Sequence, residues 1–105
     1  MPQVERRTVA PGTWRFGEAE LLEGEGRLRV GGQIRPLDHS SLQVLRLLLQ
    51  HSGEVVTKDE LLEAGWPGRV VAENSLAKAI GRLRAALGNA AGIRAVHGYG
   101  YRLAC

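Results

Sequence analysis

Cysteine is nearly absent from this chain of 105 residues, since its single cysteine is the last residue, Cys105. One cysteine cannot form an internal disulfide, and no group of cysteines is available to bind zinc. The three histidines, His39, His51 and His97, are far apart in the sequence. We therefore expect no metal site and no cofactor.

Long apolar runs are also missing. The stretch from Leu42 to Leu49 is far shorter than the ~20 residues of a membrane span, and residues 1–8 lack the apolar core of a secretory signal. With 44% hydrophobic and 24% charged residues, the composition is that of a globular domain with one modest core. We expect a flexible N-terminal arm over residues 1–12, a single domain over residues 13–105, and a cytoplasmic setting.

Acidic residues are scarce in the C-terminal part. From Trp66 onward the chain holds six basic residues and one acidic residue, a net charge of +5, whereas the first 65 residues carry −2. Such an asymmetry predicts a polyanionic partner for the basic part. The alternative is a basic surface that only faces solvent.

Residues 74–87 show the period of a helix with one buried stripe. Asn74 is a candidate N-cap, and Gly88-Asn89 suits a left-handed C-terminal cap. The stripe consists of Leu76, Ile80, Leu83 and Leu87.

The opposite face of this helix carries unusually small side chains. Gly81 costs about 1 kcal/mol relative to alanine in a helix interior, so the fold alone does not explain it. Small residues beside Lys78 and Arg82 would let the backbone approach the floor of a DNA major groove. Alternatively they pack against another helix, although the two cations would then need buried partners. The face consists of Asn74, Ala77, Lys78, Gly81, Arg82 and Ala85.

The first part of the domain has the pattern of a scaffold. Apolar residues alternate with polar ones from Thr13 to Leu37, which predicts three or four antiparallel strands, and Gly31-Gly32 predicts a two-residue hairpin. Asp38 then precedes a helix over residues 39–51 whose broad apolar face indicates a central position.

A second helix is marked by the capping box Thr57-x-x-Glu60. It runs to Gly65 and Trp66, where the indole is a packing anchor and a candidate phosphate donor. A turn over residues 67–72 leads to the basic helix, which is a helix-turn-helix arrangement with a long linker.

Residues 93–103 have the pattern of a hairpin. Ile93 and Val96 differ in parity, so a regular strand cannot bury both, which suggests a bulge or an early bend. Gly98 and Gly100 allow positive φ at the tip. The side chains expected to project there are those of His97 and Tyr99.

These segments together resemble the OmpR/PhoB-type winged helix-turn-helix, the DNA-binding output domain of many bacterial response regulators and of CadC/ToxR-like membrane regulators. The resemblance covers about residues 13–104. It implies an α+β fold with an N-terminal antiparallel sheet, three helices and a C-terminal hairpin wing. It is carried by Gly-Glu-Val-Val-Thr-Lys-Asp-Glu-Leu-Leu62, Trp66-Pro67-Gly68, Asn-Ser-Leu76, Arg-Leu-Arg84 and Val-His-Gly-Tyr-Gly-Tyr-Arg102.

The family implies sequence-specific binding of double-stranded DNA, with the basic helix in the major groove and the wing at the minor groove. The matching positions for groove contacts are Asn74, Lys78, Ala79 and Arg82, and those for phosphate contacts are Ser75 and Arg84. We add Trp66, Arg94, Tyr101 and Arg102 as phosphate contacts. The wing residues are His97 and Tyr99, and the loop that resembles an RNA polymerase contact holds Arg69, Val70 and Val71.

The chain departs from the family pattern in two ways. No receiver domain precedes residue 13, so we expect the signal to arrive through segments outside this chain, or through a membrane anchor as in CadC-like regulators. Ala79 and Gly81 replace longer side chains, so we expect backbone contacts and DNA shape to carry more of the affinity. Tandem self-association on DNA is a further expectation.

Two alternatives to DNA binding are a protein-interaction module and an enzyme. A protein-interaction module without DNA binding would use the small-residue face for a protein partner. An enzyme with a small-molecule substrate is disfavoured, because no nucleophile elbow or phosphate-binding loop is present.

Overall fold

The computed structural model describes residues 4–7, 13–51 and 53–104. An N-terminal antiparallel sheet is followed by three helices and a C-terminal hairpin. The predicted α+β architecture is confirmed. The elements are β1 (Val4–Arg7), β2 (Thr13–Phe16), β3 (Ala19–Leu22), β4 (Arg27–Val30), β5 (Gln33–Arg35), α1 (His39–Gln50), β6 (Val56–Thr57), α2 (Lys58–Gly65), α3 (Glu73–Leu87), β7 (Gly92–Val96) and β8 (Gly100–Ala104).

The N-terminal sheet is an antiparallel meander in the order β1-β2-β3-β4-β5. Gly31 and Gly32 have φ of 56° and 81° and join β4 to β5 as the predicted two-residue hairpin, because paired positive φ angles match the twist of the strands. The inward residues of this sheet are Phe16, Ala19, Leu21 and Leu28, all buried in the core.

The expected flexible arm is wrong for residues 4–7. They pair with β2 in a regular antiparallel register, from Val4 opposite Phe16 to Arg7 opposite Thr13. An edge strand offers unpaired N–H and C=O groups that a neighbouring extended segment can satisfy, and the sequence pattern alone did not show this. The rest of the predicted arm lies outside the described residues.

Helix α1 lies at the centre of the fold. The carboxylate of its N-cap, Asp38, accepts a hydrogen bond from the backbone N–H of Ser41 at 3.2 Å. As predicted, its apolar face is broad, and α2, α3 and β8 all contact this helix. Its buried apolar residues are Leu42, Val44, Leu45, Leu48 and Leu49.

Helix α2 begins with the predicted capping box. The Thr57 hydroxyl accepts from the backbone N–H of Glu60 at 3.1 Å, and the Glu60 carboxylate accepts from the backbone N–H of Thr57 at 3.0 Å. Hydrogen bonds from the backbone and then from the side chain of Thr57 lower the pKa of Glu60. The box fixes where the helix-turn-helix unit begins.

The N-cap of helix α3 lies two residues earlier than predicted. Its N-cap is Ala72, which makes no side-chain cap bond, so Asn74 is not the cap but lies in the first turn. At the other end Gly88 has φ 55° and ψ −123°. The predicted positive φ is confirmed, whereas ψ lies outside the left-handed helical region.

The C-terminal hairpin has a regular register from Gly92 opposite Ala104 to Val96 opposite Gly100. The predicted bulge is therefore wrong, and Val96 is instead half-buried at the end of the strand. Gly98 has φ 81° as predicted. Gly100 serves a different purpose, because a Cβ there would lie 1.9 Å from the Val56 carbonyl oxygen.

Candidate nucleic-acid interface

The face of α3 opposite the leucine stripe is exposed along its whole length. Among the described residues, a Cβ built on Gly81 would meet no atom within 4 Å beyond the neighbouring backbone of α3 itself, so this glycine packs against neither α1 nor α2. The stripe itself is buried as predicted. The exposed residues are Asn74, Ala77, Lys78, Gly81, Arg82 and Ala85.

Ala79 does not belong to this face. Its exposed fraction is 0%, because position 79 lies three residues after Leu76 and four before Leu83 and so borders the leucine stripe. The prediction that Ala79 contacts the DNA groove is therefore wrong.

Arg82 points away from the core but is held by the start of α1. Its Nε donates to Oδ1 of Asp38 at 3.0 Å and to Oγ of Ser41 at 3.3 Å. Burial is the largest single influence on the pKa of Asp38 and by itself would raise it. Hydrogen bonds from Ser41 and the charge of Arg82 together outweigh burial, so the pKa lies below its ordinary value. The sequence predicts Asp38 as the residue at which α1 begins. It does not predict that Asp38 also holds Arg82.

Arg84 makes a structural contact that sequence reasoning missed. Its Nε and Nη2 donate to the backbone carbonyl of Ile93 at 3.0 and 2.8 Å, which ties α3 to β7. A carbonyl acceptor leaves no signal in the sequence. Arg84 therefore connects the basic helix to the wing, whatever else its remaining N–H groups contact.

The other predicted phosphate contacts differ in exposure. Arg94 is exposed on β7, and Arg102 on β8 and Ser75 in the first turn of α3 are half-buried. Trp66 and Tyr101 pack against the hydrophobic core, which confirms the packing role of Trp66.

The wing tip projects as predicted. His97 is exposed and Tyr99 is 69% exposed. A hydrogen bond holds the tip, because the backbone N–H of Lys58 donates to the Tyr99 carbonyl at 3.2 Å. The wing is thereby joined to the start of α2.

The loop between α2 and α3 presents an apolar side chain to solvent. Val70 is fully exposed, Arg69 beside it is exposed, and Val71 is half-buried. The backbone N–H of Gly68 donates to Glu63 at 3.2 Å, so the loop is tied to α2. The sequence left open whether this loop is exposed or packed, and the structure exposes Arg69 and Val70.

Within residues 4–7, 13–51 and 53–104, no three histidine, cysteine or acidic side chains gather as a metal site. In the same part of the chain, every helix falls short of the length and apolarity that crossing a membrane requires.

Known proteins share this arrangement. Residues 32–103 match the family model for "Transcriptional regulatory protein, C terminal". The response regulator protein PmrA of Pseudomonas aeruginosa is 36% identical over 87 residues, which cover 81% of this chain and 38% of that protein. The chain thus spans well under half the length of that relative.

Two solved structures have the same fold. Response regulator DrrB of Thermotoga maritima, an OmpR/PhoB homologue, superposes with a TM-score of 0.78 at 24% identity, over 90% of this chain and 45% of that one. The DNA-binding domain of Klebsiella pneumoniae RstA, solved in complex with the RstA box, superposes with a TM-score of 0.73 at 26% identity, over 88% and 96%. This chain belongs to the family of transcriptional regulatory protein C-terminal domains, the OmpR/PhoB-type winged-helix DNA-binding domains.

Proposed function

We propose that this domain binds specific sites in double-stranded DNA as part of a bacterial transcription regulator, with α3 in the major groove and the wing at the minor groove. The observation that carries the proposal is the exposed face of α3, where Lys78 and Arg82 flank Gly81. The RstA domain, solved with its DNA box, supports it.

The dimensions of α3 suit a groove. Its 15 residues span about 22 Å at 1.5 Å per residue, and the major groove is about 12 Å wide. Lys78 and Arg82, four residues apart, lie on one side of the helix. Because Gly81 and Ala85 add almost no bulk, the helix axis can approach the base edges closely.

Salt-dependent binding tests the proposal. Duplexes are selected from a random-sequence library with the wild-type domain, and dissociation constants are measured at rising salt. We expect a clearly negative slope of log affinity against log salt, because bound cations release counterions from DNA. A slope near zero would refute DNA binding.

Single substitutions separate the roles of the two cations. Arg82→Ala should weaken the selected site by ~1–3 kcal/mol more than random DNA if Arg82 reads a base. Lys78→Ala should weaken both duplexes to a similar extent if Lys78 contacts phosphate. Arg27→Ala, at an exposed position on the N-terminal sheet, removes the same charge and should change neither value appreciably.

We further propose that the loop over residues 67–72 contacts RNA polymerase. The support is the fully exposed Val70 beside an exposed arginine. Val70→Asp should preserve DNA affinity and lower activated transcription in a purified system, whereas Val55→Asp, at another exposed valine, should change neither. Activation that is unaffected by Val70→Asp would contradict this role.

Three finer proposals follow from membership of a regulatory family. The domain acts by binding and not by catalysis, and it works in the cytoplasm where its DNA lies, as a free regulator or as the cytoplasmic part of a membrane-anchored one. Copies associate in tandem on DNA, which a gel shift on one and two half-sites would test. Stable capture of a protein together with negative gel shifts would favour the interaction module instead.

A further inference from the structure

Arg82 is anchored at one end of its guanidinium group. Nε is held between Asp38 Oδ1 and Ser41 Oγ, while the side chain as a whole remains 48% exposed. Among the described residues, no protein acceptor takes Nη1 or Nη2 of this arginine. The anchored end faces α1, and the end with four N–H donors is free.

The anchor is itself rigid. Oδ2 of Asp38 accepts from the backbone N–H of Ser41 at 3.2 Å, and Oδ1 accepts from the Ser41 hydroxyl at 2.7 Å. Ser41 is completely buried. The carboxylate therefore cannot turn to follow a moving arginine without uncapping the central helix, which would cost about 1 kcal/mol.

A guanidinium held by Nε can still make the commonest base-specific contact. Its two Nη groups can donate together to O6 and N7 of guanine in the major groove. An arginine that is fixed before binding loses less side-chain freedom when it meets the base. It also has less reach toward neighbouring phosphates, which carry no sequence information.

The negative charge of Asp38 acts on every duplex in the same way. Phosphates of any sequence repel it, so this charge lowers all affinities alike and leaves the ratio between two duplexes unchanged. A change in that ratio therefore reports on the contact between Asp38 and Arg82 and not on charge alone.

We propose that Asp38, together with Ser41, is a positioning residue that orients Arg82 to read a guanine and so sets the sequence preference of the domain. This inference rests on the proposed DNA-binding function. It assigns to the α1 cap a role in specificity, although the cap itself touches no base.

The test compares the wild-type domain with Asp38→Asn. Asparagine is as good an N-cap as aspartate, so the helix keeps its cap while the charged tie to Arg82 is removed. We expect the ratio of affinities for the selected and a scrambled duplex to fall about 2- to 10-fold, the range for freeing one immobilised side chain. The fall should be confined to one G·C position of the site.

Two comparisons make the result specific to Arg82. In an Arg82→Ala background, Asp38→Asn should leave the affinity ratio unchanged. Glu25→Gln, an equal change of charge at an exposed turn of the N-terminal sheet, should leave it unchanged in the wild-type background. Ser41→Ala, which keeps the carboxylate but removes the hydroxyl, should lower the ratio in the same direction, and it carries the test if Asp38→Asn fails to fold.

The outcomes distinguish the two proposals. A wild-type domain without salt-dependent duplex binding would overturn the proposed function. If the wild type binds but Asp38→Asn leaves the ratio unchanged or raises it, or lowers it equally without Arg82, then Asp38 does not position Arg82. A raised ratio would show that the ion pair withholds Arg82 from DNA.

Discussion

Replacing Gly81 by alanine should stabilise this domain. Gly81 lies in the interior of α3, and in the described part of the chain an added Cβ would meet no atom within 4 Å outside the backbone of its own helix. The substitution therefore adds helix propensity without a steric penalty. A destabilising residue at an exposed position is expected where binding to a partner, and not folding, requires that residue.

The size of the effect follows from general values. Glycine is about 1 kcal/mol less favourable than alanine in a helix interior. With an unfolding entropy of about 2.1 cal/mol/K per residue, a chain of 105 residues should gain about 4–5 °C in Tm. Urea unfolding followed by circular dichroism at 222 nm, together with a thermal scan, measures both quantities.

Two other glycines serve as controls with opposite outcomes. At Gly88 a Cβ also meets no described atom beyond its chain neighbours, but φ is 55°, so Gly88→Ala should cost about 1–3 kcal/mol through backbone strain. At Gly100 the built Cβ lies 1.9 Å from the Val56 carbonyl oxygen, so Gly100→Ala should cost about 3 kcal/mol by forcing β6 from β8.

Destabilisation by Gly81→Ala would refute the reasoning, because it would mean that this face of α3 is covered in the folded protein. A variant with a long side chain, Gly81→Gln, extends the test to function. It should keep the fold and weaken binding to the selected duplex if the backbone approaches the groove floor here.

Three further predictions concern the scaffold that presents α3. Thr57→Ala should lower stability by about 1 kcal/mol by removing the capping box. It should also raise the pKa of Glu60 in an NMR titration. Because the folded pKa of Glu60 is lowered, its contribution to stability is present above pH ~4.3 and is lost as pH falls through the folded pKa. Glu60→Gln should therefore reduce the loss of unfolding free energy as pH falls through this range. An unchanged dependence on pH would contradict the role of Glu60. Arg84→Met should cost about 1.5 kcal/mol in urea unfolding, because it leaves the Ile93 carbonyl without this donor. Arg94→Met, next to Ile93 on β7, should cost little. Equal losses would show that the bond from Arg84 to Ile93 does not stabilise the domain. Leu83→Ala, at a fully buried position, should cost about 3 kcal/mol, against less than ~0.5 kcal/mol for Val70→Ala.

The main elements of the fold could be predicted from local patterns. The period of Leu76, Ile80, Leu83 and Leu87 identified the buried side of α3, and Thr57 with Glu60 identified the start of α2. These signals depend on residues within one or two turns of each other, so no knowledge of distant packing is needed. The exposed face of α3 followed from the same period.

Other features depended on how the elements pack. Arg82 meets Asp38 across 44 positions of the sequence, and Arg84 meets a backbone carbonyl that any residue could have supplied. Gly100 looked like a turn glycine, but the close approach of β6 is what excludes a side chain there.

The sequence by itself determined which side of the basic helix is buried, because helical periodicity is a local property of the chain. Only the tertiary structure decided that burial extends beyond the leucine stripe to Ala79 and that Arg82 is held by the cap of α1. Both depend on where α1 lies against α3, and that placement results from the packing of the whole hydrophobic core.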